Sequence, residues 1–247
     1  MKFRFSFLIL VLFFFSCEKD TTITFEPLSL KKETCKECPL IEVSIPKAMG
    51  KNKIDQVINT ALREEVISIL KFDDEIDVAT IEDAMTSFES ENKKLKEKFP
   101  EETTQWEAKL EGEVTYEDDY ILTIRLNSYL FTGGAHGYST IRFLNFDKIK
   151  TKELDRSELF KDKDSFTEFA ETNFRSQEDI PSNAPINSTG FMFENDTFYL
   201  PENIGYTKEG LQLFYEQYEI ASYADGPIIL TLAYPEVKKY LARPIEP

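Results

Sequence analysis

Three apolar-alternating segments separated by turns occupy the middle of the chain, and they restrict the fold more than any other stretch. Trp106, Ala108, Leu110, Val114 and Tyr116 fall on alternate positions up to the turn Glu117-Asp118-Asp119. Tyr120, Leu122, Ile124 and Leu126 resume the alternation, and residues 138–146 repeat it after a glycine-rich stretch, Thr132-Gly133-Gly134-Ala135-His136-Gly137. A period of two places apolar side chains on one face of a strand, so the three segments read as an antiparallel meander. Gly133, Gly134 and Gly137 permit backbone angles barred to other residues, which lets the second turn fold tightly. This stretch is not a phosphate loop: the Lys-Ser/Thr pair is missing, and the glycines do not open a helix at dinucleotide-binding spacing.

Helices are expected on either side of the meander. Ile54, Val57, Ile58, Ala61, Leu62, Val66, Ile69 and Leu70 recur at the three-and-four spacing of one helical face, which predicts a helix over residues 52–71. Thr80 and Asp83 have capping-box spacing and open a second helix that turns Ile81, Ala84, Met85 and Phe88 inward, before a solvated Lys/Glu run to Pro100. Ile41, Val43 and Ile45 alternate as an opening strand, ended by Pro46 because proline cannot donate to a ladder. Beyond the meander, Asp164 can cap a helix carrying Phe166, Phe169, Ala170 and Phe174. Strands are expected near residues 197–200, 211–215 and 227–233, followed by a short helix opened by Pro235. The class is α+β: antiparallel sheet in a meander, with helices packed on one side.

The start of the chain points to export. Lys2 and Arg4 precede an apolar run from Phe5 to Phe15, which is far shorter than the roughly 20 residues a helix needs to span a bilayer. Ser16-Cys17 at the end of that run resembles a lipoprotein box, so residues 1–16 are expected as a signal peptide and Cys17 as the acylated first residue. Residues 17–40 are polar and read as a tether, residues 41–130 as an amino-terminal half and residues 131–247 as a carboxy-terminal half. Within the tether, Cys35 and Cys38 could form a redox pair, half a zinc site or a short-loop disulfide. An oxidising compartment and the lack of a second cysteine or histidine pair favour the disulfide.

Charge and histidine content narrow the function classes. Acidic residues outnumber basic ones 45 to 29, for a net charge of −16. Loss of Lys2 and Arg4 with the signal deepens that imbalance. Nucleic acid and anionic lipid headgroups are poor partners for such a surface, whereas a cationic protein is steered toward it, and the same charge also keeps an exposed domain soluble. The single histidine, His136, cannot supply a multi-imidazole centre, so no metal and no cofactor are expected.

Several motifs carry a resemblance to a known family. They are Tyr129-Leu130-Phe131 with the glycine turn through Gly137, Asn145-Phe146-Asp147, the segment from Tyr218 to Pro227 that includes Tyr223-Ala224-Asp225-Gly226, and Tyr234-Pro235-Glu236-Val237. Together they resemble the RsiV-like domain of unknown function, and the region from about Leu40 to Tyr129 is similar to its companion amino-terminal half, the PdaC/RsiV-like architecture. The resemblance implies a non-catalytic extracytoplasmic binding module. In the membrane-bound anti-sigma factor of that family a domain of this kind binds lysozyme, and in the deacetylase relative a similar module accompanies a separate catalytic domain.

The resulting expectation is a lipid-anchored binding or sensor module outside the cytosol, on the outer membrane, recognising a cationic protein such as a lysozyme or a cell-wall glycan. Candidate contacts are Tyr129, His136, Tyr138, Tyr206 and Tyr223, whose rings can stack on sugars or anchor an interface. The structural reading of the same residues is that tyrosines fill a core or rim and that His136, Gly133, Gly134, Gly137, Asp225 and Gly226 shape turns. A glycan or ester hydrolase is the rival. Acids are abundant, among them Glu113, Glu117, Asp118, Asp119 and Asp225, and His136 could pair with Ser139, yet no nucleophile-elbow pattern is present. A structural lipoprotein of envelope assembly is a third reading.

Overall fold

The computed structural model describes residues 22–33 and 35–245. The expected signal segment and Cys17 lie outside these residues.

Six strands, β1 (Phe25–Lys32), β2 (Leu40–Ala48), β3 (Glu107–Glu117), β4 (Ile121–Phe131), β5 (Tyr138–Asp147) and the two-residue β6 (Lys152–Glu153), form one sheet in that order. Two helices, α1 (Lys53–Leu70) and α2 (Ile81–Lys98), connect β2 to β3. A connection of that length can cross over, so β2 and β3 pair in parallel while every other neighbour in this sheet is antiparallel. A second sheet, β7 (Asn203–Tyr206), β8 (Leu211–Tyr215) and β9 (Ile228–Leu232), is antiparallel and accompanied by α3 (Lys163–Gln177) and the short α4 (Tyr234–Val237).

The alternation of β4 explains how one sheet serves two cores. Leu122, Ile124 and Leu126 face α1 and α2 and join Ile58, Leu62, Val66, Phe88, Leu110 and Phe146 in a first buried cluster. Ile121 points the other way, into a second cluster built on Phe166, Phe174, Leu213, Tyr215 and Val237. Both helices that cover the first face begin with acidic side chains turned back on the chain. The Asn52 amide donates to Asp55 Oδ2 at 2.8 Å, and the Thr80 amide donates to Asp83 Oδ2 at 2.9 Å while Thr80 Oγ1 accepts from the Asp83 amide.

Strand β7 crosses the outer face of the large sheet and is held there by polar side chains. Asn145 Nδ2 donates to the Ile204 carbonyl and Thr115 Oγ1 to the Tyr206 carbonyl, each at 2.8 Å. Thr123 Oγ1 donates to Asn145 Oδ1, orienting that amide. The approach is close enough that a Cβ on Gly205 would lie 2.2 Å from the Phe143 ring, so no larger residue fits without displacing it.

Several expectations are corrected. The fold class is α+β, but the large sheet is mixed, not wholly antiparallel. The segment expected as a tether contains β1, which pairs with β2 from Phe25 opposite Ala48 to Lys32 opposite Ile41. Its apolar side chains are few, and Leu28 and Leu30 are only half-buried, so the strand leaves a faint pattern. The boundary at 130/131 falls inside β4, because the large sheet continues to β6. Pro46 does not end β2: β3 pairs with β2 only as far as Ser44, and Pro46 sits opposite Pro27, beyond the reach of that ladder. Asp162, not Asp164, caps α3, with its Oδ1 accepting from the amides of Asp164 and Ser165 at 3.1 Å. Residues 197–200 are irregular, and the strand in that region is β7, displaced toward the carboxy terminus.

Candidate functional site

The free edge of β5 creates the site. β6 pairs only with Phe146 and Asp147, which leaves the amides and carbonyls earlier along β5 without a strand neighbour on that side. Side chains of the second sheet take its place. Asn203 Oδ1 accepts from the Phe143 amide at 2.9 Å, Asn203 Nδ2 donates to the Ile141 carbonyl, and Glu216 Oε1 accepts from the Ile141 amide at 3.1 Å. An edge strand is thus covered by side chains instead of by another ladder. The same contacts draw the loop after β8 up against the start of β5.

Two turns meet there. In the β4–β5 turn, Gly133 and Gly134 have φ of +108° and +88°, the left-handed region that glycine enters without strain. Gly137 serves a different need: a Cβ there would lie 2.4 Å from the Tyr129 ring, which lies against it. The turn thereby lifts His136 into solvent. Its Nδ1 lies 3.2 Å from the Gly137 carbonyl oxygen. In the second turn the Glu216 amide donates to Glu219 Oε2 at 2.8 Å, and Asp225 Oδ2 accepts from both the amide and the hydroxyl of Ser222. Gly226 closes it with φ of +71°.

The result is an aromatic surface edged by carboxylates. His136 stacks on Tyr223 with ring centroids 4.3 Å apart and planes 21° from parallel, and Tyr218 lies 5.5 Å beyond Tyr223. Tyr218 and Tyr138 remain open to solvent at 59% and 42% exposure, which is unusual for large rings and leaves their faces available. Burial raises the Tyr138 phenol above its ordinary range, and the carboxylates of Glu216 and Glu219 raise it further. Burial also raises both of these glutamates, partly countered in each by a backbone N–H. Glu216 Oε2 is buried and has no hydrogen-bond partner among the described residues.

The structure therefore gathers His136, Tyr138 and Tyr223, sets Tyr129 beneath Gly137, and separates Tyr206 from them. Tyr206 is corrected from candidate contact to core residue: every residue of β7 is buried, its ring packs 5.7 Å from that of Tyr116, and burial pushes its phenol well up. Tyr218, Glu216 and Glu219 were missed as site residues. Tyr218 and Glu219 lie inside a motif read mainly as turn chemistry, and Glu216 carries no local signal because its partner is 75 residues away.

The acids named for a hydrolase are engaged in structure. Glu113 pairs with Arg125, Glu117 with Lys148, and Asp118 accepts from the amides of Tyr120 and Ile121 to close the β3–β4 turn. Among the described residues no hydrogen bond joins His136 to Ser139, and no group of three or more His, Cys, Asp or Glu is gathered as a metal would require. Cys35 and Cys38 form a disulfide with Cα atoms 5.0 Å apart.

Comparison with known proteins places this architecture. A family model described as deacetylase PdaC matches residues 31–139, and a model described as a protein of unknown function, DUF3298, matches residues 157–234. The fold is similar to the crystal structure of a DUF3298 family member from Bacteroides fragilis, with a TM-score of 0.70 and 18% identity over 90% of this chain and 94% of that one. It is also similar to a DUF3298 family protein from Pseudomonas aeruginosa, with a TM-score of 0.65 and 23% identity over 89% and 94%. No curated protein matches the sequence.

Proposed function

Because this chain belongs to the PdaC/RsiV-like family, with a PdaC match followed by a DUF3298 match, we propose that it is a lipid-anchored binding module of the bacterial envelope whose ligand is a cationic protein. The observation that carries the reading is the seam surface, where His136, Tyr223 and Tyr218 form a continuous aromatic strip beside Tyr138, Glu216 and Glu219. Aromatic faces attract guanidinium and ammonium groups, and adjacent carboxylates supply the complementary charge. The net charge of −16 extends that attraction to long range. Binding is favoured over turnover because Glu216 Oε1 and Glu219 Oε2 each accept a backbone amide and His136 has no hydroxyl bonded to it among the described residues.

Lysozyme is the first probe, as the family resemblance implies, and soluble peptidoglycan fragments are the second. The full chain on a sensor surface is expected to retain lysozyme at low salt, with affinity falling as salt rises. Tyr223→Ala and Tyr218→Ala should each weaken it by about tenfold or more, as loss of an aromatic anchor does. Retention of peptidoglycan alone would replace the cationic protein with a glycan. Retention of neither, or repeated conversion of a glycan or ester substrate by the purified chain, would end this reading.

A further inference from the structure

We propose that the cleft between α2 and the Cys35–Cys38 loop binds a small uncharged molecule with an apolar body and an acceptor oxygen, held by the side-chain amide of Asn92. The inward stripe of α2 runs through Ile81, Met85, Phe88 and Asn92, so an amide occupies a position whose neighbours along the stripe are apolar. Asn92 is 2% exposed, and its Nδ2 has no hydrogen-bond partner among the described residues. A buried donor without a partner is unfavourable, a penalty that an acceptor placed against it removes.

A space for that acceptor adjoins it. A cleft of about 540 Å³ is lined by Asn92, Ser90 and Lys93 on one side and by Cys35, Cys38 and Pro39 on the other, a size typical of small-molecule sites. The loop wall is held in place at several points. The disulfide closes it, Lys96 Nζ donates to the Glu37 carbonyl at 2.6 Å, and Gln105 Nε2 donates to the Cys38 carbonyl at 2.9 Å.

The ligand class follows from which wall groups are already bonded. Ser90 Oγ donates to Asp73 Oδ2 at 2.9 Å, Lys93 lies 3.9 Å from Glu97, and Lys32 lies 2.9 Å from Glu89. Lys93 and Lys32 are thus matched to carboxylates, Lys96 is engaged by the Glu37 carbonyl, and the amide of Asn92 is the buried donor left over among the described residues that line the cleft. A carbonyl or ether oxygen on an apolar frame satisfies that donor without bringing an unpaired charge into the cleft. The site lies within the amino-terminal module and does not depend on the seam surface.

Two probes of similar shape test this, 1-phenyl-1-hexanone and its carbonyl-free counterpart hexylbenzene, titrated into the isotopically labelled full chain. The ketone is expected to shift the Asn92 side-chain amide resonances saturably and to bind about tenfold more tightly than the hydrocarbon, the factor that one hydrogen bond supplies. Asn92→Leu should retain the fold and bring ketone affinity down to that of the hydrocarbon. If that variant does not fold, Asn92→Ala, which also lacks a donor, serves for the same comparison. Absence of a saturable shift at Asn92, equal affinity for both probes, or unchanged ketone affinity in the variant would overturn the proposal.

Discussion

Asn203 shows how much structural work a single side chain performs. It takes up an amide and a carbonyl of β5 at once, and its own backbone starts β7. Asn203→Ala leaves both β5 groups without their partner in a buried seam, so a loss of about 2–4 kcal/mol in unfolding free energy is expected, measured by denaturant titration. Glu216 beside it carries a pH signature. Burial raises its carboxyl above the ordinary value of 4.5, so the folded state holds the proton more tightly than the unfolded state. The protonated group therefore favours folding, and that contribution is complete below pH 4.5 and is lost as pH rises through the raised value. Glu216→Gln retains the acceptor for the Ile141 amide and removes the titration. Its stability should fall less steeply above pH 4.5 than that of the parent chain, and a parallel pH dependence in both proteins would refute the assignment. None of this was readable from the residues alone, since Asn203 and Glu216 contact β5 from 60 and 75 positions away.

At the scale of elements, legibility followed periodicity and caps. Helix α1 and strand β3 lie where their apolar spacing placed them because each buries one face, and β4 and β5 are found at their expected positions although runs of consecutive residues in both are buried on both faces. Helix α2 begins where Thr80 and Asp83 satisfy each other's backbone amides. Thr80→Ala should destabilise the amino-terminal module by about 1 kcal/mol, the usual cost of removing such a cap, with the loss read from the thermal unfolding midpoint. Where burial was partial the pattern faded. Strand β1 has half-buried Leu28 and Leu30 amid lysines and glutamates, and it is ordered by its partner β2 more than by its own composition. Strand β7 was displaced in the reading because all four of its residues are buried, which leaves no alternation to detect.

At the scale of the molecule, one sheet joins two buried clusters through its opposite faces, and among the described residues no helix is long and apolar enough to cross a membrane. Attachment through Cys17 is the anchoring route we propose. Cys17→Ser should move the protein from the membrane fraction to the soluble fraction, with its thermal midpoint unchanged. A membrane-bound variant would refute lipid anchoring, because acyl chains supply about 0.8 kcal/mol for each buried methylene and nothing in the described residues replaces them.

By itself the sequence determined the α+β class, the main helices, the central meander and the acidic surface, since these depend on local spacing and composition. Only the tertiary structure decided that Tyr206 lies in a core while Tyr218 faces solvent, that His136 meets Tyr223, and that two side chains cover the edge of β5. The physical reason is range. Periodicity reports which face of an element is buried, whereas the site is assembled from contacts between elements far apart in the chain, whose side chains look locally like ordinary turn or surface residues.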